Sequence, residues 1–435
     1  MSTVAHQSVE PRAAASRIAA ALRTETGLAR VALGVGALHV VDDNFLQPEP
    51  GVSASDHIVS GLVPLVLLIG AGAIYPRLRA GLRGVLALVF GVLGVVGGTE
   101  AAYYAQDVGL SGDDYTGLLS IGAGFLLLGI GAITLWRSRR RTGNLAWRYT
   151  RRALYVLAAL LFAGLVLWPI SLSYAVTHVA PAEVPTANLG APYEDVQFTT
   201  SDGYLLKGWY VPSRNRAAVI SFPGRSGTRL QARMLARHGY GVLLFDRRGE
   251  GESEGDWNVF GWQGERDLHA AVAFLQGRAD VDPERIGGIG RSVGGEMLIG
   301  AAAESDDLKA IVSEGGTSRS VRDDVANHGW AVSNLPAFVL SSVQTAATAV
   351  FTNNLPPEAM KDLAPKIAPR AAFFIYGEHG QGGTEKVPNR GFYAAAGEPK
   401  ELWEVPGAQH VGGITTQPEE YERRVIAFFD QALRD

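Results

Sequence analysis

The sequence predicts a chain in two parts: an all-α membrane-spanning region, then an α/β domain with a mostly parallel sheet, helices on both faces and a small helical cap. Three observations predict it. Long uncharged apolar runs dominate the chain before about residue 180. Beyond that point short apolar strands alternate with helix-like segments, the pattern of a parallel sheet with right-handed crossovers. Within the alternation, Gly290-Arg291-Ser292-Val293-Gly294 stands between a strand-like segment, Arg285–Gly290, and a helix-like one, Gly295–Glu304.

Composition sets the outer bounds. The 435 residues are 47% hydrophobic and only 19% charged, with mean hydropathy +0.08. That is apolar for a soluble protein of this size, and the length allows two or three domains. Net charge is −4 and the pI is near 6.2, so no basic surface points to nucleic acid. Cysteine is absent, which excludes disulfides, a thiol nucleophile and cysteine-ligated zinc.

The first half reads as four or five membrane spans over residues 28–178. Ile58–Tyr75, Tyr115–Trp136 and Ala153–Thr177 carry no charged side chain and are long enough to cross a bilayer. Gly84–Tyr104 is a fourth, with Glu100 read as an interfacial residue at its outer end, and Leu28–Val41 is a short fifth candidate. Arginines set the orientation. Arg77, Arg79 and Arg83 fill one connection; Arg137, Arg139, Arg140, Arg141, Arg148, Arg151 and Arg152 fill another. The alternate connections, around Asp42–Asp56 and Asp107–Asp114, hold acids and no Lys or Arg. The arginine loops are therefore expected in the cytoplasm, and everything after about Ser173 outside it. Arg12, Arg17, Arg23 and Arg30 favour five spans, with a cytoplasmic N-terminal segment at 1–27. No cleavable signal peptide is evident, so the spans are the expected export signal. No repeated polar pattern suggests transport, and an anchor is the expected role. Residues 179–192, within the Pro- and Ala-rich stretch Thr177–Tyr193, read as a linker.

The second half, 193–435, opens with a hairpin, Val196–Thr200 and Leu205–Val211, around the turn signal Ser201-Asp202-Gly203. Strands are then expected at Ala217–Phe222, Gly241–Phe245, Ile286–Ile289, Leu308–Val312, Ala371–Tyr376 and Glu401–Val405. Helices are expected at Arg229–His238, Gly264–Gln276, Asn389–Ala396 and Glu419–Leu433. Thr317–Pro365 interrupts this order, with a helix-like segment at Ala337–Phe351. A long insertion in a compact domain is usually functional or a subdomain, and it reads as a cap over about 317–365. Trp330, Phe338, Leu340 and Phe351 either face substrate from it or pack inside it.

A serine on a tight strand-to-helix turn projects its hydroxyl from the sheet edge over a helix N-terminus. A second match, Gly251-Glu252-Ser253-Glu254-Gly255, lies in an acidic glycine-rich loop with no strand directly before it and no apolar helix directly after it. Context selects Ser292. On these residues the region Tyr193–Asp435 resembles the α/β-hydrolases, and within them the dienelactone-hydrolase and serine-oligopeptidase-like group. Asp246-Arg247-Arg248-Gly249-Glu250-Gly251-Glu252-Ser253 resembles a loop that is structural in that family.

The resemblance implies a nucleophile, a base, an orienting acid and an oxyanion hole. Ser292 is the implied nucleophile, and His410, in the glycine-flanked loop after the last strand, the implied base. The acid should follow the strand Ala371–Tyr376. Gly377–Lys386 contains no Asp there, a departure from the commonest pattern, and leaves Glu385 as first candidate and Glu378 as the alternative. His379 is a minor candidate base. The oxyanion donors are the N–H groups of Val293 and of Arg225, the latter in the loop Pro223–Gly227, where relatives often carry His-Gly. The Arg225 guanidinium is a further candidate for an anionic substrate group. No cofactor or metal is implied.

The expected activity is a membrane-anchored serine hydrolase acting on a small-molecule or lipid-like carboxylic ester through an acyl-enzyme. A peptidase or an acyltransferase is the enzymatic alternative. A non-catalytic sensor or scaffold that kept the fold is the rival from another class, and a transporter with a hydrolase appendage a third. Oligomeric state is not readable.

Overall fold

The computed structural model describes residues 23–47, 58–104, 114–138, 144–178 and 183–434. Arg12, Arg17, Arg139, Arg140, Arg141 and most of the two acidic connections fall outside these residues, as do the side chains of Glu100, Arg148 and Arg152. The chain divides into two compact units, one ending at Ala175 and one beginning at Val176.

The first unit is helical: α1 Glu25–Val41, α2 Ile58–Ile74, α3 Ala80–Tyr104, α4 Asp114–Arg137, α5 Leu145–Phe162 and α6 Trp168–Ala175. A π-helical turn, Ala163–Leu167, joins the last two without a break. Helix α1 starts three residues before the expected apolar run because Thr24 caps it, its hydroxyl accepting the Gly27 N–H at 3.0 Å. Glycines bring α3 and α4 together. A Cβ on Gly91 would lie 2.9 Å from the Gly124 carbonyl oxygen, and one on Gly124 would lie 2.7 Å from that of Gly91. Gly84 meets Gly131, and Gly98 meets Gly117, in the same way. Small residues allow such close approach of two helix backbones. Polar links are also present, among them the Ser120 hydroxyl donating to the Gly94 carbonyl at 3.1 Å. His39 Nδ1 lies 3.2 Å from Thr116 Oγ1, and the Thr116 hydroxyl donates to Asp42 at 2.8 Å.

Among the described residues four helices are long and apolar enough to cross a membrane: Ala80–Thr99, Tyr115–Arg137, Tyr149–Ala175 and Val332–Thr352. Three overlap expected spans. The fourth belongs to the cap of the second unit. Gly61–Arg77 is apolar but shorter.

The second unit has the α/β-hydrolase fold. Its strands are β1 Glu194–Thr199, β2 Leu205–Val211, β3 Ala218–Phe222, β4 Gly241–Phe245, β5 Ile286–Arg291, β6 Ala310–Glu314, β7 Ala371–Gly377 and β8 Lys400–Val405. They form one sheet in the order β1-β2-β4-β3-β5-β6-β7-β8. The β1/β2 and β2/β4 pairings are antiparallel and the rest parallel. Strands β3, β4, β6 and β7 are buried throughout, as expected where helices cover both faces of a parallel sheet. Leu268, Leu275 and Met297 pack one face, while Leu235, Val425 and Phe429 pack the other. Strand β6 begins two residues later than expected and continues through Ser313 and Glu314. Apolar character ends at Val312, whereas pairing with Gly290, Arg291, Phe374 and Ile375 carries the strand on. The chain order reverses around β3 and β5, and sites in open α/β sheets form outside the carboxyl ends of strands at such a point.

Between β6 and β7 the chain makes the cap, including α7 Val321–His328 and α8 Leu335–Thr352. The Val321 N–H donates to Thr345 Oγ1 at 2.9 Å and the Met360 N–H to buried Asp323 at 2.7 Å, tying the cap together.

Candidate active site

Ser292 sits between the last residue of β5 and helix α9 Val293–Glu304. Its backbone has φ 52° and ψ −125°, a region that costs a non-glycine residue on the order of 1–3 kcal/mol. The turn is held by the Ser292 N–H, which donates to the Glu314 carbonyl at 2.7 Å. Glycine is required on either side: a Cβ on Gly290 would lie 2.4 Å from the Gly294 backbone, and one on Gly294 would lie 2.7 Å from the Phe222 carbonyl oxygen. The hydroxyl therefore stands over the N-terminus of α9, whose first N–H groups have no partner within the helix. Val293 provides the first of these.

His410 lies in the loop after β8, with Nε2 3.0 Å from Ser292 Oγ. Its Nδ1 makes a hydrogen bond to Glu385 Oε1. Glu385 is fully buried, and its other oxygen accepts the Gly377 N–H at 3.2 Å. Gly380 gives the carboxyl its space, since a Cβ there would lie 2.2 Å from Glu385 Cδ. The order hydroxyl, imidazole, carboxylate can pass a proton from oxygen to Nε2 while the carboxylate fixes the tautomer and stabilises the imidazolium. The alternative acid, Glu378, instead accepts the Gly407 N–H at 2.8 Å. His379 is exposed. Ser253 of the second Gly-x-Ser-x-Gly match is buried; its hydroxyl donates to the Asp246 carbonyl and accepts the Lys207 N–H.

Two residues not singled out in the sequence brace this arrangement. The Glu314 carboxylate accepts the Gly413 N–H at 2.9 Å and the Tyr421 hydroxyl at 2.7 Å, so it holds the histidine loop while its carbonyl holds the elbow. Burial pushes this carboxyl above the usual carboxylate range, against the opposing pull of those two donors. Arg291 donates to the Gly227 carbonyl and, at 3.0 Å, to the Val411 carbonyl, bridging the loop after β3 and the histidine loop. The signal for Glu314 was an acid ending an otherwise apolar strand. Arg291 carried none beyond its place beside the serine.

Arg225 corrects an expectation. Its N–H donates to Asp246 Oδ1 at 2.7 Å, so it is committed to a carboxylate and is not an oxyanion donor here. Its guanidinium is likewise paired with Asp246 and Glu252, and the residue is only 4% exposed, so it does not face an anionic substrate. The loop Asp246–Ser253 is thereby fixed to the β3 loop, a structural role. Of the cap aromatics, Phe338 is buried and its ring lies 5.1 Å from that of Trp330, which is itself 78% exposed. A cavity of about 730 Å³ within the cap is lined by Val321, Arg322, Trp330 and Glu358, among others, and by none of Ser292, His410 or Glu385. Among the described residues no cluster of three His, Asp or Glu side chains is arranged to hold a metal.

A nucleophile elbow at the centre of this sheet defines a class, and the chain is a serine hydrolase enzyme. The sequence profile of the X-Pro dipeptidyl-peptidase (S15) family matches residues 174–404, and the chain belongs to that family. It is 35% identical over 178 residues to protein Rv2307c of Mycobacterium tuberculosis, covering 38% of this chain and 63% of that one. It is 35% identical over 129 residues to the thiohydrolase aneE of Aspergillus aculeatus, covering 28% of this chain and 41% of that one. The chain thus spans less than two thirds of the length of these curated relatives. The structure of the Pyrococcus furiosus esterase Pf2001 superposes with a TM-score of 0.46 at 25% identity, covering 59% of this chain and all of that one.

Proposed function

We propose that the protein is a membrane-anchored serine hydrolase that cleaves carboxylic esters or thioesters on the outer side of the membrane. Ser292 Oγ attacks the carbonyl carbon as His410 Nε2 takes its proton. Glu385 orients His410 and stabilises its charged form. The Val293 N–H donates to the oxyanion. The proton returns to the leaving oxygen or sulfur, and water, deprotonated by His410, releases the acid and restores the serine. The observation that carries this reading is the 3.0 Å approach of His410 Nε2 to Ser292 Oγ, backed by buried Glu385.

Anchoring is supported by the apolar helices of the first unit, and the outward placement by the arginines between them. The relative named as a thiohydrolase supports a thioester among the substrates. Membership of a family described by an X-Pro dipeptidyl-peptidase favours a second reading, removal of X-Pro dipeptides. Capture of a free N-terminus calls for a carboxylate that can take its ammonium. Three buried acids on the elements that carry the site are already engaged: Glu314 with Gly413 and Tyr421, Glu296 with the Thr317 N–H at 2.6 Å, and Glu385 with His410. Ester and thioester cleavage is the better-supported activity.

The test is fluorophosphonate labelling of the full chain in detergent, beside Ser292→Ala and His410→Ala, followed by turnover of acyl esters, acyl thioesters and X-Pro anilides. Labelling lost in both variants, with ester or thioester turnover ahead of the anilides, is the expected result. Faster anilide turnover would make it a peptidase. A folded wild-type chain that does not label would return the protein to the scaffold reading. Because the sequence has no cysteine, reaction of Val387→Cys with a membrane-impermeant thiol reagent in intact cells tests the outward placement.

A further inference from the structure

Residues 329–357 of the cap contain no Asp, Glu, Lys, Arg or His. In a solvated domain such a run is normally buried. Here Trp330 is 78% exposed, Val332 89%, Leu335 54% and Leu355 80%. Among the described residues of this unit, the only other large apolar side chains so exposed are Leu230 and Val387, which lie apart in sequence. The four on the cap flank the two ends of α8, a helix about 27 Å long at 1.5 Å per residue, and the outer face between them carries Ser342 and Ala346.

We propose that this cap face rests in the outer surface of the bilayer that the chain spans, with Trp330, Val332, Leu335 and Leu355 among the lipid chains; the proposal rests on the membrane-anchored reading above. Two further observations select lipid as the occupant. The first is the point where the chain enters the unit. The ring of His178 lies edge-on to that of Phe351 in the last turn of α8, with centroids 6.0 Å apart. His178 is three residues beyond Ala175, where the last apolar helix ends, and three residues reach at most about 11 Å. The residue that packs on α8 is therefore tethered by three residues to the helix taken above as the last span. The second is chemical. A tryptophan with aliphatic neighbours and no charge suits the interface, where the indole ring is apolar and its N–H stays wet. Helix α8 does not itself cross the membrane. Phe338, Ala347, Thr348 and Thr352 are buried in the unit, and the Thr345 and Ser341 hydroxyls are bonded to the Val321 N–H and to Asp324. A lipid-resting cap places the hydrolase beside acyl substrates dissolved in the membrane.

The experiment uses the full chain in phosphatidylcholine vesicles, with single cysteines introduced as Val332→Cys, Leu355→Cys, Phe125→Cys and Val387→Cys and labelled with a polarity-sensitive fluorophore. Expected is loss of emission to spin-labelled lipid, and shielding from aqueous iodide, at positions 332, 355 and 125, with the reverse at 387. Lipid quenching at 125 but only iodide quenching at 332 and 355 would overturn the proposal and leave the anchor intact. Shielding of 332 and 355 from both quenchers would assign the face to a protein partner or second copy, and overturn it as well. Absence of lipid quenching at 125 would remove the membrane reading itself, and this proposal with it.

Discussion

The Glu314 carbonyl accepts the N–H of Ser292 at 2.7 Å, so the residue that ends β6 fixes the strained turn that carries Ser292. The same residue's carboxylate takes Gly413 in the histidine loop. One side chain and one peptide unit thus set the distance between hydroxyl and imidazole from both ends.

Glu314→Ala leaves the Tyr421 hydroxyl and the Gly413 N–H without their acceptor. A buried unsatisfied polar group costs about 1–3 kcal/mol, so the variant is expected to melt earlier and to label more slowly than wild type. Thermal unfolding and the rate of fluorophosphonate labelling check both. Glu314→Gln keeps an acceptor and should recover part of each loss.

The buried Glu314 carboxyl also gives a pH signature. Its folded-state value lies above the usual 4.5. The folded protein therefore holds this proton more tightly than the unfolded chain. The resulting stabilisation is fully present below pH 4.5 and is lost as pH rises through the folded-state value. Relative to Glu314→Gln, which cannot ionise, wild type should lose stability as pH rises from about 4.5. Denaturant midpoints of the two proteins between acid and neutral pH measure the difference; a gap that stays constant would count against it.

Glu385→Gln tests the acid. Loss of the orienting carboxylate in a Ser-His-acid site lowers kcat by about 10⁴, and a fall of that order is expected here with the fold retained. Glu378→Gln, at an exposed carboxylate that accepts the Gly407 N–H, should stay near wild type. Steady-state kinetics on any ester the enzyme accepts distinguishes them.

Gly315→Ala should damage both stability and rate. Gly315 has φ 72°, and a Cβ there would lie 3.3 Å from ring atoms of His410 and 2.9 Å from Val411 Cγ1. Left-handed backbone costs a residue with a Cβ roughly 1 kcal/mol or more, and the methyl would move the imidazole off Ser292. A lower melting temperature with kcat reduced more than KM is the expected pair of results.

In the first unit, Gly124→Val should separate α3 from α4, because any Cβ at that position meets the Gly91 carbonyl oxygen at 2.7 Å. Gly122, with open space around it, should accept alanine without effect. Size-exclusion monodispersity and melting in detergent would show the contrast.

What the sequence disclosed was local. Gly290 and Gly294 around Ser292 announced the elbow, because a tight strand-to-helix turn has a short-range signature. His410 was marked by its glycines and its place after the last strand. The sheet followed from strands that are apolar on both faces. What it hid lay in long-range hydrogen bonds between backbone and side chain. The Arg225 N–H is taken by Asp246, 21 residues on. Glu314 reaches Gly413 across 99 residues and Arg291 reaches Val411 across 120. None of these leaves a periodic trace. The α3 and α4 glycines did leave one, at seven-residue intervals, 84, 91, 98 and 117, 124, 131, but their pairing becomes visible only once the two helices are laid side by side.

The cap leaves the sheet at the end of β6 and returns at the start of β7, and those two strands are hydrogen-bonded neighbours. Because they run parallel, the exit at Glu314 and the return at Ala371 lie at opposite ends of the strands, and the insertion is an enlarged crossover between them. Evolution can rewrite such a crossover, or exchange it for another, without changing the order of the strands it joins. The serine, the histidine and their braces stay where they are.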